Sequence, residues 1–227
     1  MTRQAAPMRV RRLPGVYPPS DDSYALLGAL RERARGAEVL EVCAGTGLLA
    51  LAAARTAASV TAVDRDRRAV ASIRINAALS GRRITVRRGD LFAPVAGASF
   101  DLIIANPPYM PTPAVRPGPR SVAWDAGWDG RAVLDRISAG VARHLRPGGC
   151  LLLVQSAFAD ADRTATALTE SGLDVTAVLE RPVPLGPVSD HRIDHLVDLG
   201  VCDPTAPIDR LVVLEGRLAA SERERAR

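Results

Sequence analysis

The stretch from 38 to 58 limits the possible folds more than any other part of the chain. Glu-Val-Leu-Glu-Val-Cys at 38–43 is a short apolar strand, Ala44-Gly45-Thr46-Gly47 is a glycine turn, and 48–58 is an Ala/Leu run that reads as a helix. Strand, glycine turn and helix in that order open a βαβ unit of a doubly wound sheet. The glycines let the backbone approach a ligand closely. The first N–H groups of the following helix have no intrahelical partner and can bond that ligand. A Gly-x-Gly turn alone is a weak signal, so the rest of the chain has to agree with it.

It does. Residues 59–63 read as a second strand ended by Asp64, and a helix follows over 66–80. A third strand spans 83–88, a fourth 101–105. Asp129 is placed to cap a helix over 130–145, with Val133, Ile137, Val141 and Leu145 on one face. Pro147-Gly148-Gly149 turns the chain into a strand over 150–155; a helix over 160–171 ends at Gly172, and a strand covers 173–180. A proline-rich insertion at 181–209, with a short helix near 190–199, precedes a last strand at 211–214. Seven strands alternating with helices predict an α/β fold with a mainly parallel sheet covered on both faces. The last two strands lack a full crossover helix between them, so they are expected to pair antiparallel. One domain is expected over 16–218, with a flexible arm at 1–15 and a charged tail at 219–227.

Composition narrows the function classes. No run of about 18 apolar residues is present, so no membrane partner is expected. The basic stretch 1–12 has no apolar block behind it, which argues against a secretory signal. Cys43, Cys150 and Cys202 are scattered without a CxxC pair and read as reduced thiols of a cytoplasmic protein. The net charge is +5, and every basic side chain other than histidine is arginine. Clusters at Arg3, Arg9, Arg11 and Arg12 and at Arg82, Arg83, Arg87 and Arg88 could meet nucleic acid or form a plain solvated surface. Aromatic residues are only 4%, too few for an evident base-stacking platform. His191 and His195 are four apart on the short helix but have no third ligand, so they read as an exposed face and no metal is assigned.

Candidate site residues fall at the strand ends, where ligands of open α/β sheets collect. After the fourth strand comes Asn106-Pro107-Pro108-Tyr109, whose two prolines stop the strand and stiffen the turn. Asp64 lies 17 residues after Gly47, where a carboxylate can accept ribose hydroxyls or simply cap the next helix. Gly89-Asp90-Leu91 is either an adenine contact or a Gly-Asp turn. Val16-Tyr17-Pro18-Pro19-Ser20-Asp21-Asp22-Ser23 leads stiffly into a helix over 22–35 that Ser20 or Asp21 can cap. It is simple packing or a flap over a ligand. The loop at 110–127, rich in Pro, Gly and Trp, is long enough to be functional or disordered.

Glu41 to Gly47, Asp64, Asp90 and Asn106-Pro-Pro-Tyr109, in that order, resemble the class I S-adenosylmethionine-dependent methyltransferases, which have a Rossmann-like fold. More narrowly the chain resembles the HemK-type protein glutamine N5-methyltransferases, in their short single-domain form. The lead-in 16–23, the Asn-Pro-Pro-Tyr turn and Ala123-Trp124-Asp125-Ala126-Gly127-Trp128-Asp129-Gly130-Arg131 carry that resemblance, which runs from about 16 to 155. It implies S-adenosyl-L-methionine as cofactor. Glu41, Cys43, Gly45 and Gly47 would hold its methionine part, with Tyr17 and Ser23 closing over it. Asp64 and Arg65 would sit at the ribose, Asp90 and Leu91 at the adenine, and Asn106 beside the methyl group. Asn106 and the Pro107 carbonyl would accept the two N–H bonds of a substrate –NH2, Pro108 would stiffen the turn, and Tyr109 would pack on the planar amide.

The same resemblance implies a protein substrate, a translation release factor being typical, and a small zinc-binding activator subunit on the apolar edge of the third strand. Several positions depart from the pattern. Pro18 stands where an acid is usual, Asp21 where Glu is usual, and Cys43 where the first loop glycine is usual; the edge at 82–88 is arginine-rich, and the 181–209 insertion is long. Other readings stay open: amino methylation of a nucleic-acid base, tailoring of a small molecule or peptide, and a non-catalytic nucleotide-binding scaffold.

Overall fold

The computed structural model describes residues 9–113 and 123–220. Helix α1 (Asp21–Arg33) leads into strand β1 (Glu38–Val42), followed by α2 (Leu48–Ala53), β2 (Ser59–Asp64), α3 (Arg67–Ser80), β3 (Thr85–Arg88) and β4 (Phe100–Ala105). After the loop come α4 (Leu134–Gly140), β5 (Leu145–Ser156), α5 (Ala161–Glu170), β6 (Leu173–Val183), two short helices α6 (Pro187–Asp190) and α7 (Ile193–Asp198), and β7 (Asp209–Leu218).

The seven strands form one sheet in the order β3-β2-β1-β4-β5-β7-β6. The first five are parallel. β7 runs antiparallel between β5 and β6 because α6 and α7 are too short to carry the chain across the sheet. The predicted Rossmann-like fold and the antiparallel end are both observed. The order reverses between β1 and β4, and the turns after these two strands open on that switch point.

Each central strand is apolar on both faces, which explains its near-continuous hydrophobic run. Leu102 and Ile104 of β4 join Leu26, Leu30, Leu49 and Ile73 in one core layer. Ile103 and Ala105 join Leu134, Ile137 and Leu168 in the other. Among the described residues no helix is long and apolar enough to cross a membrane.

Local details depart from the sequence reading. The helix expected over 130–145 begins only at Leu134 and tightens into a 3-10 turn over Val141–His144. Asp129 accepts the Arg131 N–H at 3.1 Å and so shapes the loop before the helix. Ser20 precedes α1 but makes no side-chain cap; its hydroxyl turns to Asp22 instead. In the arm, Arg11 N–H donates to Asn76 Oδ1 at 2.7 Å and Leu13 N–H to Ser72 Oγ at 3.2 Å, so residues 11–13 are tied along α3. Residues 1–8, 114–122 and 221–227, which include the start of the arm, part of the long loop and most of the tail, lie outside the described residues.

Candidate active site

A cavity of about 620 Å³ lies at the C-terminal ends of β1, β2 and β4, within the size range of a small-molecule site. The glycine turn forms its floor. Cys43, Gly45 and Gly47 have φ of +56°, +54° and +76°. At Gly47 a Cβ would come 3.0 Å from Ile73 Cγ2, so glycine is required for packing as well as dihedral. At Gly45 a Cβ would meet nothing within 4 Å, which leaves backbone open for a ligand to approach. Cys43 adopts the left-handed conformation that its missing glycine would have taken freely, at a cost of about 1 kcal/mol. Burial, and then the charge of Asp64, raises its thiol, which is a protonated wall group.

Asp64 ties the turn to the second strand. Its Oδ2 accepts Gly45 N–H and its Oδ1 accepts Asp66 N–H, both at 2.8 Å. The helix-cap alternative passes instead to Asp66, whose Oδ1 accepts Arg68 N–H at 2.9 Å. Burial raises the Asp64 carboxyl, against the two N–H bonds that favour its charge. Asn76, which no sequence pattern picked out, latches the same turn: its buried Nδ2 donates to Thr46 O at 2.9 Å and to Arg11 O at 2.8 Å.

The other wall is built around a buried acid that the sequence reading passed over. Asp22 is 3% exposed. Its Oδ1 accepts Ser20 Oγ–H at 2.7 Å and Ser23 Oγ–H at 3.1 Å; its Oδ2 accepts the Tyr109 hydroxyl at 3.1 Å and the Tyr17 hydroxyl at 3.3 Å. Burial, with the Asp22 charge next in importance, raises both tyrosine hydroxyls, which keeps them protonated donors. Ser23 Oγ in turn accepts Asn106 Nδ2 at 3.2 Å. Asn106 Oδ1 is therefore left as an acceptor with no partner among the described residues, on a side chain that lines the cavity. The lead-in 16–23 is thus part of the site: Tyr17 and Ser23 also line the cavity.

Of the remaining predicted residues, Arg65, Asp90, Leu91 and Pro108 line the cavity. Leu91 has φ +46°, and Asp90, half exposed, pairs with Arg136 at 2.5 Å. Glu41, Gly47, Pro107 and Tyr109 stand outside the lining. Glu41 is buried beneath α2, where its Oε2 accepts Ala50 N–H at 2.8 Å. Burial pushes its carboxyl up to about 8. It acts here as a support of the turn, behind the wall on which it was expected. Tyr109 faces Asp22 rather than the open cavity.

The long loop packs back on the turn. Met110 N–H donates to Trp124 O at 2.9 Å, and Ala126 N–H to Met110 O at 3.1 Å. A Cβ on Gly130 would sit 2.4 Å from Tyr109 O, so the Trp-Asp-Gly segment seats directly under the Asn-Pro-Pro-Tyr turn. Arg131, 2% exposed, anchors that segment to α5 through Ala159 O at 2.6 Å and Asp160 O at 2.8 Å. The insertion clamps it from the other side. Arg192 pairs with buried Asp125 and donates to Pro111 O at 3.0 Å. The expected exposed face of two histidines does not form: His195 is buried, with Nε2 2.9 Å from Trp128 O and its ring edge-on to Trp128. His191 alone stays exposed. Among the described residues no group of three His, Cys, Asp or Glu is arranged to hold a metal.

Residues 7–119 match the "Methyltransferase small domain" family. A protein of Methanocaldococcus jannaschii, whose name assigns it to the protein N5-glutamine methyltransferases, is 34% identical over 180 residues, covering 78% of this chain and 90% of its own. The chain belongs to the HemK-type protein N5-glutamine methyltransferase family. As a member of it, the protein is a methyltransferase of the S-adenosylmethionine-dependent class, acting on nitrogen. The release factor glutamine methyltransferase of Geobacter sulfurreducens is 35% identical over 150 residues, and the chain covers 53% of that longer relative. The fold matches that of the Mtq2–Trm112 complex of E. cuniculi, described as responsible for methylation of the eRF1 translation termination factor. That TM-score is 0.64 at 23% identity, over 90% of this chain and 99% of the other.

Proposed function

We propose that this methyltransferase uses S-adenosyl-L-methionine to methylate the side-chain amide nitrogen of a glutamine in a protein acceptor, a translation release factor being the first choice. The cavity fits the cofactor on three counts. Gly45 offers open backbone, Asp64 offers a half-buried carboxylate at the ribose distance along the chain, and Asp90 with Leu91 offers a polar and an apolar contact. When bound, the cofactor supplies an electrophilic sulfonium methyl group.

The harder requirement is the nucleophile. A carboxamide nitrogen shares its lone pair with its carbonyl and attacks poorly. Asn106 carries the reading: its Nδ2 is engaged by Ser23, so its Oδ1 is presented as a fixed acceptor for an acceptor N–H. A donor held there orients the amide plane and favours its lone pair toward the methyl carbon. Preorganisation of this kind supplies rate without a tuned general base. Pro107 and Pro108 keep the backbone stiff. Tyr109 holds the turn through its hydroxyl bond to Asp22, and its ring would pack on the planar substrate amide. The clamped loop at 123–131, whose Ala123 lines the cavity, would form the rim over which a peptide passes.

The test is incubation with labelled S-adenosylmethionine and separate pools of release factor, RNA and DNA, followed by peptide mapping. Label on a glutamine of the release factor, lost in Asn106→Ala, is the expected result. Label reaching nucleic acid alone would reject the proposal.

A further inference from the structure

Residues 42–89 hold nine arginines against two acids, Asp64 and Asp66. That is an excess of seven positive charges where the whole chain carries +5, so all other residues together are net negative. Neither acid makes an ion pair with them: Asp64 is turned onto two backbone N–H groups, and Asp66 caps α3. Elsewhere many arginines have acidic partners. Arg33, Arg146, Arg163, Arg192, Arg210 and Arg217 all make ion pairs. Among the described residues no ion pair involves an arginine between 42 and 89.

We propose that the open edge of β3, with the adjoining end of α3, is a docking face for the phosphate backbone of RNA. Arg82, Arg83, Arg87 and Arg88 are exposed along that edge. Three of them are steered by a single bond to a carbonyl: Arg82 to Ala54 O at 3.3 Å, Arg87 to Pro94 O at 3.1 Å, and Arg88 to Arg65 O at 3.3 Å. A guanidinium has five donors, so each keeps most of its fork and all of its charge for a ligand. Planar forks suit phosphate oxygens in pairs. Blunting a short edge strand against aggregation takes a charge or two. The arginines here go further, continuing through Arg65, Arg67 and Arg68 to the mouth of the cavity.

No Phe, Tyr or Trp occurs between 42 and 89, so the face offers no platform for bases and is built for backbone contact. Charges of this density also disfavour an apolar protein strand on the same edge, although Ile75 and Leu79 are exposed nearby. The choice of RNA among polyanions rests on the proposed function, since a translation release factor works within an assembly rich in RNA.

The experiment is fluorescence anisotropy of a labelled RNA hairpin of about 20 base pairs with the full chain, between about 50 and 200 mM salt. Arg82→Gln/Arg83→Gln/Arg87→Gln lies off the cavity wall and is compared with Arg163→Gln/Arg210→Gln/Arg217→Gln. The slope of log K against log salt should fall by about three in the first variant and stay unchanged in the second. Both variants should keep the wild-type melting temperature and wild-type methylation of free release factor, so that a failed methylation proposal and a failed docking face give different results. No binding by the wild type at low salt, equal binding by both variants, or tighter binding of a DNA duplex would each overturn the assignment. So would a zinc-binding protein partner that is lost in the first variant while RNA is not bound.

Discussion

Replacing Asp22 with Asn tests whether the lead-in is part of the catalytic geometry. The exchange preserves shape but turns one carboxylate oxygen into an NH2 donor. Each oxygen now accepts two hydroxyls: Ser20 and Ser23 on Oδ1, Tyr17 and Tyr109 on Oδ2. Whichever side the NH2 takes, two hydroxyl donors face a donor. Hydrogen bonds to a buried charge are worth roughly 1.5–3 kcal/mol each, and reoriented hydroxyls recover part of that. A loss of about 3 kcal/mol follows, read as a lower urea midpoint with unchanged slope. The effect should reach the chemistry as well. Ser23 releases Asn106, and a misplacement on the order of 1 Å at a reacting group costs about a hundredfold in rate. Acceptor kcat should therefore fall by about that factor under cofactor saturation, in protein that is still folded. An Asp22→Asn enzyme with wild-type kcat would refute the claim that this carboxylate positions the turn.

Other consequences are simpler. Cys43→Gly removes a side chain from a left-handed residue and should stabilise the protein by about 0.5–1 kcal/mol in urea titration, glycine's chain entropy offsetting part of the gain. Arg192→Ala leaves Asp125, 5% exposed, without its cation; a loss of about 3–5 kcal/mol is expected, with a raised KM for the acceptor and an unchanged Kd for S-adenosylmethionine by calorimetry. Burial holds the Glu41 proton to about pH 8 in the folded chain, while its ordinary value is 4.5. Its contribution is complete below about pH 4.5, declines as pH rises and is gone above about 8. Urea midpoints of Glu41→Gln measured from acid to alkaline pH should lack that decline; equal slopes in both proteins would show that Glu41 titrates normally.

The parts of the site legible in the chain are those that local chemistry encodes. A run apolar on both faces predicts a central strand, and two prolines after it predict a stiff stop; β4 and the turn at Asn106 follow from those facts alone. Glycine positions with positive φ are equally local, and so is the cap at Asp66. The surroundings of Glu41 and Tyr109 are of another kind. A Glu41 oxygen accepts a backbone N–H of α2 and the Tyr109 hydroxyl donates to Asp22, contacts that no local pattern announces.

By itself, then, the sequence determines the alternation of elements, the layered core and the two loops that flank the switch point. Tertiary structure decides which side chains meet there. Asp22 reaches Tyr109 across 87 positions, Asn76 reaches Arg11 across 65, and Arg192 reaches Asp125 across 67. Periodicity reports only which face of an element is buried, whereas these contacts depend on strand order, which brings the ends of distant segments within hydrogen-bond reach.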